Sequence, residues 1–125
     1  MTVSKVFVSY ARSDHALAEE LFRTLRSIPV DVWSADELRT GENWSDVLRS
    51  RLRESDYFLL LLTPNTRESS WVLQELGAAW VLGKRIIPVV TDRRLLNALP
   101  VDLSAVQALT TSELDQLEDV LQRAA

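Results

Sequence analysis

The run Tyr57-Phe58-Leu59-Leu60-Leu61-Leu62 constrains this chain more than any other feature. A strand with one face in water alternates apolar and polar residues, and this run does not. Thr63-Pro64-Asn65 stops it at strand length. A short, continuous apolar run bounded in this way fits a strand buried on both faces, as in a parallel sheet covered by helices on each side. It is far too short to cross a bilayer, which takes about 20 apolar residues, and no other apolar run in the chain approaches that length.

The flanking segments supply the rest of such a sheet. Val6-Phe7-Val8 reads as a first strand, followed by the polar loop Ser9 to Ser13. Asp14 stands at the N-cap position of a helix with apolar residues at Leu17, Ala18, Leu21, Phe22, Leu25 and Ile28, closed by Pro29. Val30 to Trp33 is a second short strand, and Ser34 to Asn43 a polar loop carrying Gly41. Trp44, Val47, Leu48 and Leu52 form the stripe of a second helix. A third helix is expected from about Ser70 to Leu82, ending near Gly83. Arg85 to Thr91 is the fourth strand, where Pro88 suggests an edge or a bulge. Asp92 to Pro100 reads as one short helix, Ser104 to Ala108 as a weak last strand, and Ser112-x-x-Asp115 as a capping box before a closing helix.

This alternation of strands and helices implies one α/β domain over residues 1–125. The expected architecture is three-layered and flavodoxin-like: a parallel five-stranded sheet of order 2-1-3-4-5 with helices on both faces. Composition narrows the function. A net charge of −4 argues against nonspecific nucleic-acid binding, because no basic field exists to displace counterions. The chain contains no cysteine, which removes disulfides and thiol catalysis and fits a cytoplasmic protein. With a single histidine, His15, and no thiols, a transition-metal site is not expected. The three glycines form no phosphate loop or dinucleotide fingerprint. Thr63-Pro64 stands where a phosphoacceptor receiver domain needs an aspartate ending its third strand.

Open α/β sheets bind ligands at the carboxyl ends of the strands, where strand order reverses. In a 2-1-3-4-5 order that point lies between strands one and three. The loop Ser9 to Asp14 and the loop leading to Trp71 and Glu75 should therefore converge, with Ser34 to Asn43 beside them. On the third helix, Val72, Leu73, Leu76, Ala79 and Trp80 span one apolar face at about 100° per residue. Glu75 is expected at the border of that face, one turn from Trp71, desolvated in part yet accessible. The early turns of a helix also favour a carboxylate through the dipole. Each of these residues has an ordinary reading as well. Glu75 fits a solvated helix residue, Trp71 a packing residue, Trp33 and Trp44 core or rim residues, and Arg12 a surface charge.

Four signatures in register resemble the TIR domain family, particularly its compact bacterial members. They are Val6-Phe7-Val8-Ser9-Tyr10 with Asp14, Gly41-x-x-Trp44 followed by a helix and Ser55-Asp56, Ser70-Trp71-x-x-x-Glu75-Leu76 with Ala78, and Arg85-Ile86-Ile87-Pro88-Val89. They cover roughly residues 4–91, and the last third matches poorly. The usual family cysteine after the tryptophan is Val72 here.

The resemblance implies an NAD⁺ glycohydrolase in bacterial anti-phage immune signalling, switched on by self-assembly, with NAD⁺ as substrate and no separate cofactor. Glu75 would be catalytic, and Trp71, Ser9, Tyr10, Arg12, Trp33 and Asp36 would bind substrate. The products would be nicotinamide with ADP-ribose or a cyclic ADP-ribose isomer. Implied partners are other TIR domains, through the Ser34–Asn43 loop, and a downstream effector that reads a nucleotide product. No nucleic acid, membrane or metal is implied. The competing reading is a noncatalytic TIR–TIR interaction module, against which the presence of Glu75 in register counts. A flavodoxin-like nucleotide-binding domain with another substrate is a third reading.

Overall fold

The computed structural model describes residues 3–34, 44–99, 103 and 106–124. Five strands form one parallel sheet: β1 (Ser4–Ser9), β2 (Val30–Ser34), β3 (Tyr57–Leu62), β4 (Arg85–Val90) and β5 (Leu109–Thr110). Their order is β2-β1-β3-β4-β5, so strand order reverses between β1 and β3, as expected. Among the described residues, four α-helices complete the layers: α1 (His15–Arg26), α2 (Trp44–Glu54), α3 (Ser70–Val81) and α4 (Leu117–Ala124).

The run at 57–62 is buried throughout and divides two cores by parity. Tyr57, Leu59 and Leu61 pack with Ala18, Leu21 and Leu25 of α1 and Leu117, Val120 and Leu121 of α4. Phe58, Leu60 and Leu62 pack with Leu52 of α2 and Val72, Leu76 and Ala79 of α3. Both faces of β3 are thus removed from water, which explains the missing alternation.

Four local expectations are corrected. Asp14 occupies the N-cap position of α1 without a side-chain capping bond; its carboxylate reaches across to the β3–α3 loop instead. Pro88 lies inside the sheet, opposite Leu60. Thr91 N–H donates to Leu62 O on the β3 side. By the alternation of backbone groups along a strand, the nitrogen of Pro88 faces β5, whose ladder begins only at Val89. Proline therefore costs no ladder bond there. The last strand is Leu109–Thr110, later than Ser104–Ala108, of which residues 104 and 105 lie outside the described set. The capping box pairs Thr110 with Glu113, not Ser112 with Asp115, and it opens a 3-10 turn, Thr111–Gln116, ahead of α4. Thr110 is both the last residue of β5 and the cap of that turn, so the box ends the strand there. Within the segment read as one short helix, Asp92–Pro100, a 3-10 turn forms at Arg93–Ala98, and Pro100 lies outside the described residues.

Gly83 closes α3. Its φ of 71° lies in the left-handed region, where a glycine has no Cβ penalty. Lys84 N–H then returns to Ala79 O at 3.0 Å.

Candidate functional site at the carboxyl ends of β1 and β3

β1 ends on Ser9, and β3 delivers the chain through Thr63 and a 3-10 turn (Thr66–Glu68) into α3. Ser69 caps that helix, accepting from Val72 N–H at 3.3 Å. α3 then buries Val72, Glu75, Leu76 and Ala79, a stripe at i, i+3, i+4 and i+7. Glu75 is thus a member of the buried stripe and not a border residue: it is 2% exposed. Trp80, expected on the apolar face, is 57% exposed instead.

The carboxylate of Glu75 is met by β1. Ser9 Oγ donates to Glu75 Oε1 at 2.5 Å, between residues 66 apart in the chain, and Ser9 is 1% exposed. The distance is that of a strong hydroxyl–carboxylate bond. The parity of β1 makes this contact possible. Phe7 and Ser9 lie on the face covered by α2 and α3, whereas Val6, Val8 and Tyr10 lie on the face covered by α1 and α4.

The same parity separates the other candidates. Tyr10 is buried on the α1 side, its ring edge-on to Phe22 at 5.9 Å and to His15 at 6.4 Å. Its ring is therefore not brought to Glu75. Its hydroxyl has no hydrogen-bond partner among the described residues. Trp33 lies on the Glu75 side but is 9% exposed, packed at 5.1 Å on Phe7 and covered by the Arg51 guanidinium at 5.6 Å. Trp71 is half-buried in the first turn of α3, one turn before Glu75. Arg12 is exposed in the 3-10 turn Arg12–Asp14 after β1, at the rim of the same edge. Asp36, Gly41 and the rest of 35–43 lie outside the described residues, as does the side chain of Trp44.

A polar network that sequence reasoning missed holds the two loops together. Thr63 Oγ1 donates to Asp14 Oδ2 at 2.6 Å, and Asn65 Nδ2 donates to Asp14 Oδ1 at 2.8 Å. Thr63 N–H and Asn65 N–H donate to Thr66 Oγ1 and Thr63 Oγ1, at 2.9 and 3.0 Å. Asp14, Thr63 and Thr66 are all buried. The available signal was an Asp after strand one combined with a Thr-Pro-Asn turn after strand three. Each looked like local punctuation, because pairing across 49 residues is a property of strand order.

Cavities lined by described residues lie elsewhere. One, of about 610 Å³, opens at the amino ends of the strands between Lys5, Glu54, Asp56 and Arg85. One of about 350 Å³ lies between Trp80, Ile86, Leu103 and Val120, and one of about 560 Å³ between the outer surfaces of α2 and α3. The 610 Å³ opening lies on the edge opposite the topological switch point, so strand order and not cavity volume locates the candidate site. Among the described residues, no three histidine, cysteine, aspartate or glutamate side chains group as a metal ion requires. No helix there is long and apolar enough to cross a membrane.

A TIR domain profile matches residues 6–123, extending the likeness through the last third of the chain. No curated protein matches the sequence. Among solved structures, a metazoan TIR-STING receptor from C. gigas superposes with a TM-score of 0.74 at 21% identity, over 96% of this chain and 40% of that one. The TIR domain of the Toll-related receptor TRR-2 from Hydra magnipapillata gives 0.73 at 14% identity, over 95% and 96%. The CMP N-glycosidase BcmB from Clostridium botulinum gives 0.61 at 17% identity, over 96% and 99%. At these identities the superpositions speak for the fold, while the profile match covers nearly the whole sequence; the chain belongs to the TIR domain family.

Proposed function

We propose that this TIR domain cleaves the nicotinamide–ribose bond of NAD⁺, with Glu75 as the catalytic carboxylate. The observation that carries the reading is the buried Glu75, held by Ser9 at the carboxyl ends of β1 and β3. The bond to be broken is an N-glycosidic one. Its departure leaves an oxocarbenium-like ribosyl centre, as in glycoside hydrolysis. Nicotinamide leaves readily because its ring nitrogen is cationic in the substrate. The demand on the protein is therefore for negative charge facing the anomeric carbon and for positioning of the ribose. A fixed carboxylate meets both through preorganised electrostatics. Trp71, one turn away, would wall the nicotinamide ring or exclude water. Water attacking the ribosyl centre gives ADP-ribose and a proton; an adenine nitrogen or ribose hydroxyl of the same molecule gives a cyclic isomer. The CMP N-glycosidase with the same fold supports this class of reaction, since its named activity also breaks a bond from ribose to a base nitrogen.

Glu75 is only 2% exposed in the single chain, so substrate reaches it only when neighbouring side chains move. This favours activity switched on by self-association, with residues 34–43 as the contacting loop; the likeness of the motifs to compact bacterial TIR domains, not the burial, is what suggests a place in anti-phage signalling in the cytoplasm of a bacterium. The same burial favours the second reading, a noncatalytic TIR–TIR interaction module in which Glu75 is structural. The discriminating experiment follows NAD⁺ and its products by chromatography, using protein at high concentration or crowded into assemblies. Glu75→Gln is expected to retain the fold and lose about 10²–10³ in rate, the scale of removing one electrostatic stabiliser. Equal NAD⁺ consumption by this variant removes Glu75 from catalysis. No consumption by the assembled wild type leaves the interaction module.

A further inference from the structure

Ser9 lines the candidate site, and a serine there has two distinct uses. Its hydroxyl can contact the substrate, or it can be committed to the protein. We infer that Ser9 is a positioning residue for Glu75 and not a substrate contact, an inference that rests on the NAD⁺-cleaving reading above. Ser9 Oγ lies 2.5 Å from Glu75 Oε1, and Ser9 is 1% exposed. A hydroxyl has one proton to donate, and this one is spent on the carboxylate. Ser9 ends a central strand, in register with Leu60 of β3, so the sheet fixes its backbone on the β3 side. Glu75 sits on a helix capped by Ser69 and packed through Val72, Leu76 and Ala79. The bond therefore joins two rigid elements. It holds one carboxylate oxygen of Glu75 at a fixed place relative to β1.

The geometric demand on the reaction makes such restriction matter. A carboxylate that must face a developing charge loses effect steeply when it swings away, and rate rather than affinity records that loss. A serine that held the substrate would act on KM. A serine that orients the carboxylate acts on kcat, because Glu75 makes its main contribution as charge develops.

The test measures NAD⁺ consumption by the crowded 125-residue chain for wild type, Ser9→Ala, Ser9→Thr and Glu75→Gln, with thermal unfolding of each. The expected result for Ser9→Ala is a fall in kcat on the order of tenfold or more with KM within about twofold of wild type, the signature of an interaction realised in the transition state. Ser9→Thr keeps the hydroxyl and is expected to return kcat to within about threefold of wild type. A Ser9→Ala variant with wild-type kcat overturns the inference, as does one whose KM rises while kcat holds. A folded Ser9→Thr variant as slow as Ser9→Ala also overturns it. If Ser9→Thr unfolds, the kcat and KM of Ser9→Ala decide alone. Failure of the positioning role is separable from failure of the activity: the first leaves Glu75→Gln inactive beside an unimpaired Ser9→Ala. The second shows Glu75→Gln as active as wild type, or an assembled wild type that leaves NAD⁺ intact, and then both readings fall.

Discussion

Replacing Asp14 with alanine tests whether the loops after β1 and β3 are fastened by the carboxylate or merely lie beside each other. Asp14 accepts from Thr63 Oγ1 at 2.6 Å and from Asn65 Nδ2 at 2.8 Å. The two bonds are not equal in value. Asn65 is exposed, so water replaces its lost acceptor at little cost. Thr63 is 3% exposed, and its hydroxyl proton is left without an acceptor. A hydrogen bond to a charged group contributes about 1.5–3 kcal/mol net, so Asp14→Ala should cost about 2 kcal/mol, nearly all of it through Thr63. For a domain of this size that corresponds to a fall in Tm of roughly 6–10 °C. The assay is urea unfolding of wild type, Asp14→Ala, Thr63→Val and the double variant. The midpoints are expected to fall with the slope unchanged, because native compactness is kept. The two losses should overlap, giving a coupling of about 1–2 kcal/mol, since the residues touch. Additive losses, or an Asp14→Ala variant within about 0.5 kcal/mol of wild type, refute the idea that this carboxylate fastens the loops.

Three further outcomes follow from other parts of the fold. Leu60→Ala removes a fully buried side chain beneath α3 and should cost about 2–5 kcal/mol in urea unfolding; a loss below about 1 kcal/mol means the site collapses without a cavity. Gly83→Ala meets no neighbouring atom within 4 Å, so its expected loss of about 1–2 kcal/mol comes from the left-handed backbone alone; an unchanged Tm shows that the C-terminal turn of α3 has another conformation available. The Arg94 side chain, helped by its backbone N–H, lowers the Asp92 carboxyl from 3.8 to about 2. A depressed carboxyl stabilises the fold above its unfolded value, and that contribution fades as pH falls from 3.8 through 2. Asp92→Asn should therefore flatten the Tm profile across that window, less so in 1 M salt because the pair is exposed; identical profiles contradict it.

The sheet was legible because its evidence is repetitive. The unbroken apolar run at 57–62 and the helical stripes on each side point to the same layers, and strand order then located the edge where Ser9 and Glu75 meet. Helical phase placed Glu75 on the correct helix but at the wrong depth. A wheel measures distance from the apolar centre and cannot see that β1 presents a serine to receive an acid inside the stripe. The parity of β1 was equally hidden: Ser9 and Tyr10 are adjacent in sequence, yet a strand sends them to opposite faces, so one reaches Glu75 and the other packs on Phe22. At the C-terminal end, Ser112-x-x-Asp115 and Thr110-x-x-Glu113 satisfy similar local patterns, and the pairing of Thr110 with Val90 in the sheet determines which one caps.

The uninterrupted run in β3 also carries a liability. A strand that is apolar on one side announces its own register, because a shift by one residue would turn oily side chains to water. In β3 such a shift would exchange Phe58, Leu60 and Leu62 for Leu59 and Leu61 with hardly any change in hydrophobicity, so oiliness says almost nothing about alignment. The alignment has to be written at the two ends of the strand, in polar groups that tolerate one position only. At the entrance, Asp56 N–H meets Lys5 O at 2.8 Å, and the Tyr57 hydroxyl donates to Leu121 O at 3.0 Å, tying the strand to the last helix. At the exit stands Thr63, bonded to Asp14. The residues that keep β3 from sliding are thus among those that set the walls of the candidate site. An error of one step would deliver Glu75 out of reach of Ser9 while leaving the interior as greasy as before.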